Sequence, residues 1–396
     1  MLRLRTLKDV DAAEKRVLVR VDFNVPLQGG TITDDGRIRA ALPTIQHLLG
    51  QRALVVLMSH LGRPKGKVVP ELRMDPVARR LSELLDQPVQ KLDDCVGPDI
   101  EEAVRAAGPG DVILLENLRF HAGEQQNDPE FAQALARLGD LYVNDAFGTA
   151  HRKHASTYGV ARLLPAVAGF LVQKEVERLS RLREDPERPY YAIVGGAKLS
   201  DKIKVLRDLL PRVDGFLLGG GIAFTLLKAQ GYAVGRSLVD AHLLPDAEAF
   251  LKEAESQGKV VELPRDVVVA PELVPNAPTQ VVPVEEIPED RMGLDIGPAT
   301  VAAFQARVEE AKSLLWAGPL GAFETPPFHE GTRRVAEAIA RSRAFSVIGG
   351  GDTAAALKAL GIALPENVHV STGGGAALEF VSGKSLPGLE PLLQNQ

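Results

Sequence analysis

"FSVIGGGDTAAALKAL", residues 345–360, sets a run of strand formers against three glycines, then places an acid, a hydroxyl and an Ala-rich stretch behind them. That order predicts a strand, a tight turn and a helix. The same plan recurs in "GFLLGGGIAFTLLKAQG" at 215–231 and in "VHVSTGGGAALEF" at 368–380. Working outward, "RVLVRVDF", "ALVVLMSH", "DVILLENL" and "DLYVNDAF" are β-rich runs, while "DPVARRLSELL" and "DPEFAQALARL" have helical apolar spacing. This alternation is that of a mostly parallel sheet with helices on both faces. A second series runs through "YYAIVGG", "VDGFLLGG", "KVVELPRDVVVA", "KSLLWAG", "AFSVIGG" and "NVHVST". Between the two lies "LVQKEVERLSRLRED" (171–185), a charged amphipathic helix that reads as a connector, with an ordinary crossover helix as the plainer alternative.

Composition agrees with two α/β lobes and narrows the function. A chain of 396 residues exceeds what one core usually organises. With 45% hydrophobic and 25% charged residues it has an ordinary globular balance. The net charge of -6, from 46 basic and 52 acidic side chains, argues against binding nucleic acid through bulk charge. Cys95 stands alone and cannot form an internal disulfide. No apolar run reaches the roughly 18 residues of a membrane span, and the charged start is unlike a signal sequence. A cytoplasmic enzyme without membrane or nucleic-acid partners is expected.

In a parallel sheet, ligands bind at the carboxyl ends of the strands, where all three glycine junctions fall. Glycine lets the backbone approach an anion, and the following helix offers free N–H groups and the positive end of its dipole. A single triplet is equally well explained as a tight packing turn. Three of them, with "IVGGAKLSDK", favour a polyphosphate. The P-loop pattern is absent. "GGGDTA" satisfies G-x-G-x-x-A, but the acid expected about 20 residues later is missing, because "NVHVST" ends in Ser371 and Thr372, which disfavours a dehydrogenase.

The first half carries cations instead. "RVDFNVPL", "GRIRA", "SHLGRPKG", "ENLRFHAGE" and "NDAFGTAHRKHAS" each deliver Arg, His or an Asp/Asn pair near a strand end. One such Arg would be surface decoration; repetition at one sheet edge points to an anion pocket. His47 falls in a helical pattern, whereas His60, His121, His151 and His154 are loop residues without the acid–His spacing that suits zinc.

Nine segments, "RVDFNVPL", "SHLGRPKG", "LLENLRF", "NDAFGTAHR", "GGAKLSDKI", "GGGIAFTLL", "GLDIGP", "GGGDTAAAL" and "STGGGAALEF", resemble the signatures of the phosphoglycerate kinase family in order and spacing, across residues 20–384. The resemblance implies a fold of two Rossmann-like lobes, each a mostly parallel sheet with helices on both faces, joined by a connector helix. It implies a 3-phosphoglycerate lobe at 1–170 with the tail 381–396 packing back on it, a connector at 171–185 and a nucleotide lobe at 186–380. It places 3-phosphoglycerate or 1,3-bisphosphoglycerate at Asp22, Phe23, Asn24, Arg37, His60, Leu61, Gly62, Arg63, Arg119 and Arg152. ATP or ADP with Mg²⁺ falls on Lys198, Lys202, Gly219, Gly220, Gly293, Glu324, Gly350, Gly351, Asp352 and Thr353, with Asp352 as the metal carboxylate. Arg37, Lys198, Gly373, Gly374 and Gly375 are the implied catalytic set, and a monomer is expected. Lys198 and Lys202, four apart, are expected on one face of one helix. One position departs from the family pattern: Ala317 precedes "GP" where Asn is usual.

Overall fold

Strands that read as unbroken apolar runs become the middles of two parallel sheets. A computed structural model describes residues 2–394. It divides into one unit reaching Glu177 and resuming at Ser385, and a second from Arg178 to Lys384. In the first unit the sheet strands are β1 (Arg16–Arg20), β2 (Leu54–Met58), β3 (Gln90–Lys91), β4 (Val112–Leu114), β5 (Leu141–Asn144) and β6 (Ala166–Ala168). They lie in the order β3-β4-β2-β1-β5-β6. All neighbouring pairs are parallel, and β1 takes Leu54 opposite Arg16 on one side and Leu141 opposite Val17 on the other. Every residue of β2 is buried, as helices on both faces require.

The second unit has β7 (Tyr190–Val194), β8 (Gly215–Leu218), β9 (Val260–Glu262), β10 (Asp266–Ala270), β11 (Gln280–Pro283), β12 (Met292–Ile296), β13 (Ser313–Ala317), β14 (Phe345–Gly349) and β15 (Val368–Val370). Its parallel sheet runs β9-β8-β7-β13-β14-β15. That is the doubly wound order in which strand sequence reverses beside the first strand, here between β7 and β13. In the first unit the reversal falls between β1 and β5. Each reversal opens a crevice at the carboxyl edge, so the topology alone says where a ligand can enter.

One expectation needs correction. "KVVELPRDVVVA" reads as one strand, but Pro264 divides it into β9 and β10, and β10 leaves the parallel sheet to pair antiparallel with β11 and β12. Proline has no N–H for a ladder, so the break is local chemistry. Along β10, Val267 and Val269 are buried while Val268 is partly exposed, the alternation of a sheet with one covered face.

The connector sequence forms the helix Phe170–Arg183, in which the division between units falls. The chain end belongs to the first unit. Leu393 bridges Leu4 antiparallel, Arg5 donates its N–H to Leu392 O at 2.8 Å, and Gly388 donates to Ala150 O at 2.8 Å. Leu389 and Leu392 are buried there. The last two residues of the expected tail, Asn395 and Gln396, lie outside the described residues.

Candidate functional site

The carboxyl edge of the first sheet is tied together by polar side chains before any ligand is considered. Beyond β1, Asn24 Oδ1 accepts from Gly62 N at 2.8 Å, and Phe23 N donates to Ser59 Oγ at 2.9 Å. Asn117, beyond β4, accepts from Leu61 N at 3.2 Å and donates to Leu61 O at 2.7 Å. Arg119 Nη1 donates to Gly62 O at 3.1 Å. Three strand ends distant in sequence thus share one hydrogen-bonded floor. Phe23 and Leu61 are buried, so only their backbone can face a ligand. Gly62 has φ of +64°, and a Cβ there would meet Leu72 at 2.8 Å, so this turn requires glycine.

Onto that floor the sequence places its cations. Arg37, in the first turn of the helix Gly36–Gly50, gives Nη1 to both oxygens of Asp22 at 3.0 and 2.9 Å. Asp22 therefore orients the guanidinium, and the other donors of Arg37 stay available. Arg119 is half-buried, and its Nε is enclosed without a hydrogen-bond partner. Burial and then the neighbouring Arg20 lower its pKa. An enclosed donor left unpaired among like charges is what an anion would satisfy. Arg63 and Arg152 are exposed.

His60 is buried, and its pKa is pushed well below the usual histidine value, first by burial and then by Arg20, Arg119, Arg37 and His154. Arg20 Nη2 lies 3.0 Å from His60 Nδ1. A guanidinium can only donate, so Nδ1 accepts and the imidazole proton sits on Nε2. His154 is lowered to about 4 by burial and then by Arg119 and Arg20. These mutual effects bring Arg20, Arg37, Arg119, Arg152, His60 and His154 into one electrostatic cluster.

Sequence reasoning missed the support under that cluster. Arg20, the fully buried last residue of β1, also donates from Nε to Ser156 Oγ at 2.8 Å. Ser156 Oγ in turn donates to the buried Glu124 at 2.6 Å. Burial raises the Glu124 pKa, while Arg20 and Ser156 oppose the rise. The available signal was a charge, Arg20, at the ligand end of the apolar strand "RVLVR".

In the second unit a cavity of about 520 Å³ lies at the carboxyl edge. Of the expected nucleotide residues, Gly220, Gly293, Glu324 and Asp352 line it. Gly219 does not; it is buried, and a Cβ there would meet Leu320 at 2.8 Å. The rest of the wall is largely apolar, including Phe224, Leu238, Leu273, Met292 and Phe323. Such residues read as core in a sequence and carry no separate signal. Gly293 underlies Phe224, whose ring would lie 2.0 Å from any Cβ at that position.

The three triplets share one device and differ in use. Their middle glycines, Gly220, Gly350 and Gly374, have φ of +67°, +99° and +52° and each precedes the first residue of a helix. Around the first triplet the space is filled by chain: a Cβ on Gly221 would lie 2.2 Å from Ala197 O. At Gly351 and Gly374 nothing lies within 4 Å of such an atom. Packing thus explains the first triplet, while the other two leave open space before a helix start. Gly373 is buried, and Gly375 is the first residue of the short helix that ends at Val381.

Two further expectations change. Lys198 and Lys202 do not share a helix face, because Lys198 is extended before the 3₁₀ turn Leu199–Asp201 and Lys202 precedes the helix Ile203–Leu209. Among the described residues neither has a carboxylate within ion-pair distance. Lys202 Cε lies 3.6 Å from the position of a Cβ on Gly196, a residue of the cavity wall. Thr353 is fully buried; its hydroxyl accepts from Gly318 N at 2.7 Å and bonds Gly349 O, so only its backbone N–H is left for a ligand. Asp352 is exposed, as are Gly351 and Glu324. Ala317 is buried at the end of β13, where its carbonyl accepts from Gly195 N.

A family model described as phosphoglycerate kinase matches residues 7–384. A phosphoglycerate kinase of Moorella thermoacetica is 56% identical over 389 residues, covering 98% of this chain and 99% of its own. One of Thermomicrobium roseum is 55% identical over 392 residues, covering 99% and 100%. Among solved structures, a phosphoglycerate kinase from Coxiella burnetii matches with TM-score 0.86 at 43% identity over 98% of each chain. Another, from Pyrococcus horikoshii, matches with TM-score 0.87 at 34% identity over 98% of each chain.

Proposed function

The chain belongs to the phosphoglycerate kinase family, and on that premise we propose that it transfers a phosphoryl group reversibly between 1,3-bisphosphoglycerate and ADP, giving 3-phosphoglycerate and ATP with Mg²⁺. The observation that carries the reading is the cluster of arginines and histidines at one sheet edge, with the enclosed and unpaired Arg119 Nε among them. In this reading the acid occupies that cluster, touching Asn24, His60, Gly62, Arg63, Arg119, Arg152 and the backbone of Phe23 and Leu61. Asp22 acts by holding Arg37. His60, neutral with its proton on Nε2, donates a hydrogen bond to the acid without adding charge.

The chemistry needs no general base in the direction of acid phosphorylation, since the nucleophile is a carboxylate already ionised at neutral pH. What must be managed is repulsion between two anions and the charge spread over the transferring group. Arg37 approaches that group from the acid side with its free donors. Lys198, with the backbone N–H groups of Gly373, Gly374 and Gly375, meets it from the nucleotide side, and Lys202 serves the nucleotide phosphates. Gly350, Gly351 and the N–H of Thr353 receive phosphate oxygens; Gly220, Gly293 and Glu324 border the base and sugar, with Gly219 shaping the turn beneath. Asp352, exposed and without a cation within ion-pair distance among the described residues, fits Mg²⁺, which when bound neutralises polyphosphate charge. The ligands of the two units must then meet with water excluded, which requires a closing motion about the connector.

A coupled assay following ATP-dependent consumption of 3-phosphoglycerate tests the proposal. Turnover is expected, and nucleotide binding without turnover would reduce the chain to a phospho-ligand binder. Asp352→Asn keeps the shape and removes a charge. The Mg²⁺ concentration for half-maximal rate should rise while metal-free ADP binding hardly changes; an unchanged Mg²⁺ titration would move the metal carboxylate elsewhere.

A further inference from the structure

Two residues past Arg119, the turn Leu118–Phe120 ends at His121, and the loop after β3 runs through "LDDCVGPD". Folding brings these segments together. His121 Nε2 lies 2.5 Å from Asp94 Oδ1, and Cys95 Sγ donates to Glu116 O at 2.8 Å. Among the described residues, Asp94, Cys95 and His121 are the one group of three potential metal ligands, with their ligand atoms within 4.8 Å of one another. Each is fixed by something other than a metal. Asp94 Oδ1 also accepts from Cys95 N at 2.7 Å, and the imidazole stacks on Phe131 with ring centres 5.0 Å apart.

We propose that Asp94, Cys95 and His121 bind a borderline divalent transition metal of the zinc class, through Oδ1, Sγ and Nε2, with a fourth position left to water. The donor set decides the class: one thiolate and one imidazole suit zinc, cobalt or nickel and are poor ligands for Mg²⁺ or Ca²⁺. Size agrees. With metal–sulfur near 2.3 Å and metal–nitrogen and metal–oxygen near 2.0–2.2 Å, tetrahedral ligand atoms sit roughly 3.3–3.8 Å apart. The metal therefore takes the place of the proton between Asp94 and His121, which part by about 1 Å, and Cys95 Sγ turns from Glu116 O toward it.

Protons balance simply. The thiol proton leaves to solvent, the single proton of a neutral imidazole moves through solvent from Nε2 to Nδ1 as the metal takes Nε2, and one metal–sulfur bond replaces one S–H bond, so one proton is released overall. The surroundings oppose a free thiolate, since Cys95 is buried beside Asp94, Glu116 and Glu124 with Lys91 as the nearby cation. Asp94 favours a cation in its place, whereas Glu116 is already paired with Arg73 at 2.9 Å and Lys91 at 2.7 Å. Access is from the Asp94 side, whose side chain is 52% exposed against 32% for His121.

The test uses the full chain and metal alone. Zn²⁺ titrated calorimetrically should bind one ion per chain and release about one proton, read from buffers of different ionisation enthalpy. Cd²⁺ should produce a thiolate-to-metal ultraviolet band. Cys95→Ser should abolish the band, and both it and His121→Gln should weaken Zn²⁺ at least about tenfold. Circular dichroism establishes that each variant is folded, and His121→Gln, at a half-exposed position, keeps the test decisive if the buried Cys95 variant is not. Zn²⁺ binding without the Cd²⁺ band would place the ion elsewhere and overturn the proposal. Equal affinity in wild type and a folded His121→Gln would do the same.

Discussion

Arg37→Ala should lower kcat by about 10²-fold or more, roughly 2.7 kcal/mol, while changing the KM for ATP far less. The expectation follows from what this guanidinium is already doing. One nitrogen is engaged by Asp22 in a two-oxygen contact that fixes the plane, so the remaining donors are held ready and need little reordering when charge develops. Arg37→Lys keeps the charge but has no fork to divide between Asp22 and the transferring group, and should recover only a small part of the loss. Asp22→Asn separates positioning from charge: it leaves Arg37 in place without its ionic partner, and should produce a smaller defect than Arg37→Ala. Steady-state kinetics on variants with unchanged circular dichroism decide the matter. Wild-type kcat in Arg37→Ala would remove this residue from the chemistry.

Much of the fold was legible because parallel strands buried on both faces leave an unmistakable mark. "LVVLM" has no polar position and "SLLWA" only Ser313, and both lie wholly inside. What was less legible was any break set by a single residue, as Pro264 sets the passage from β9 to the antiparallel sheet. The site divides along the same line. Polar and charged residues just past buried strands, such as Asp22, His60 and Arg119, stand out because polarity beside a buried strand needs a reason. Glycine states only that a side chain would not fit; it does not say whether a ligand or the chain itself occupies the space. So "GGGIAF" and "GGGDTA" look alike in sequence, yet Gly221 faces Ala197 O while Gly351 faces open space. Four-residue spacing misled at Lys198 and Lys202 for a related reason, since it implies one helix face only where a continuous helix exists. The apolar cavity wall and the Arg20–Ser156–Glu124 chain stayed hidden, because their roles depend on contacts between segments more than 100 residues apart in part.

Separating the two units should abolish transfer while leaving each binding step, and this is the largest effect expected. The reaction as proposed joins an acid held by residues before Glu177 to a nucleotide held by residues after Arg178. Intramolecular placement is worth effective concentrations of up to about 10⁵–10⁸ M, and that advantage vanishes when the units diffuse independently. A fragment of residues 178–384 should therefore bind MgADP by calorimetry, and a mixture with its complement should show no detectable turnover. The complement must contain residues 1–177 together with 385–396, because Leu389 and Leu392 are buried in that unit and Gly388 bonds Ala150. Omitting them would expose the apolar surface they cover, and an unfolded fragment would imitate a failure to bind. Once circular dichroism shows both pieces folded, the first should bind 3-phosphoglycerate with an affinity that falls as salt rises, since its contacts are charges partly open to water. Nucleotide binding by the first piece and none by the second would reverse the assignment of ligands to units, and with it the use proposed for the open glycine turns at Gly351 and Gly374.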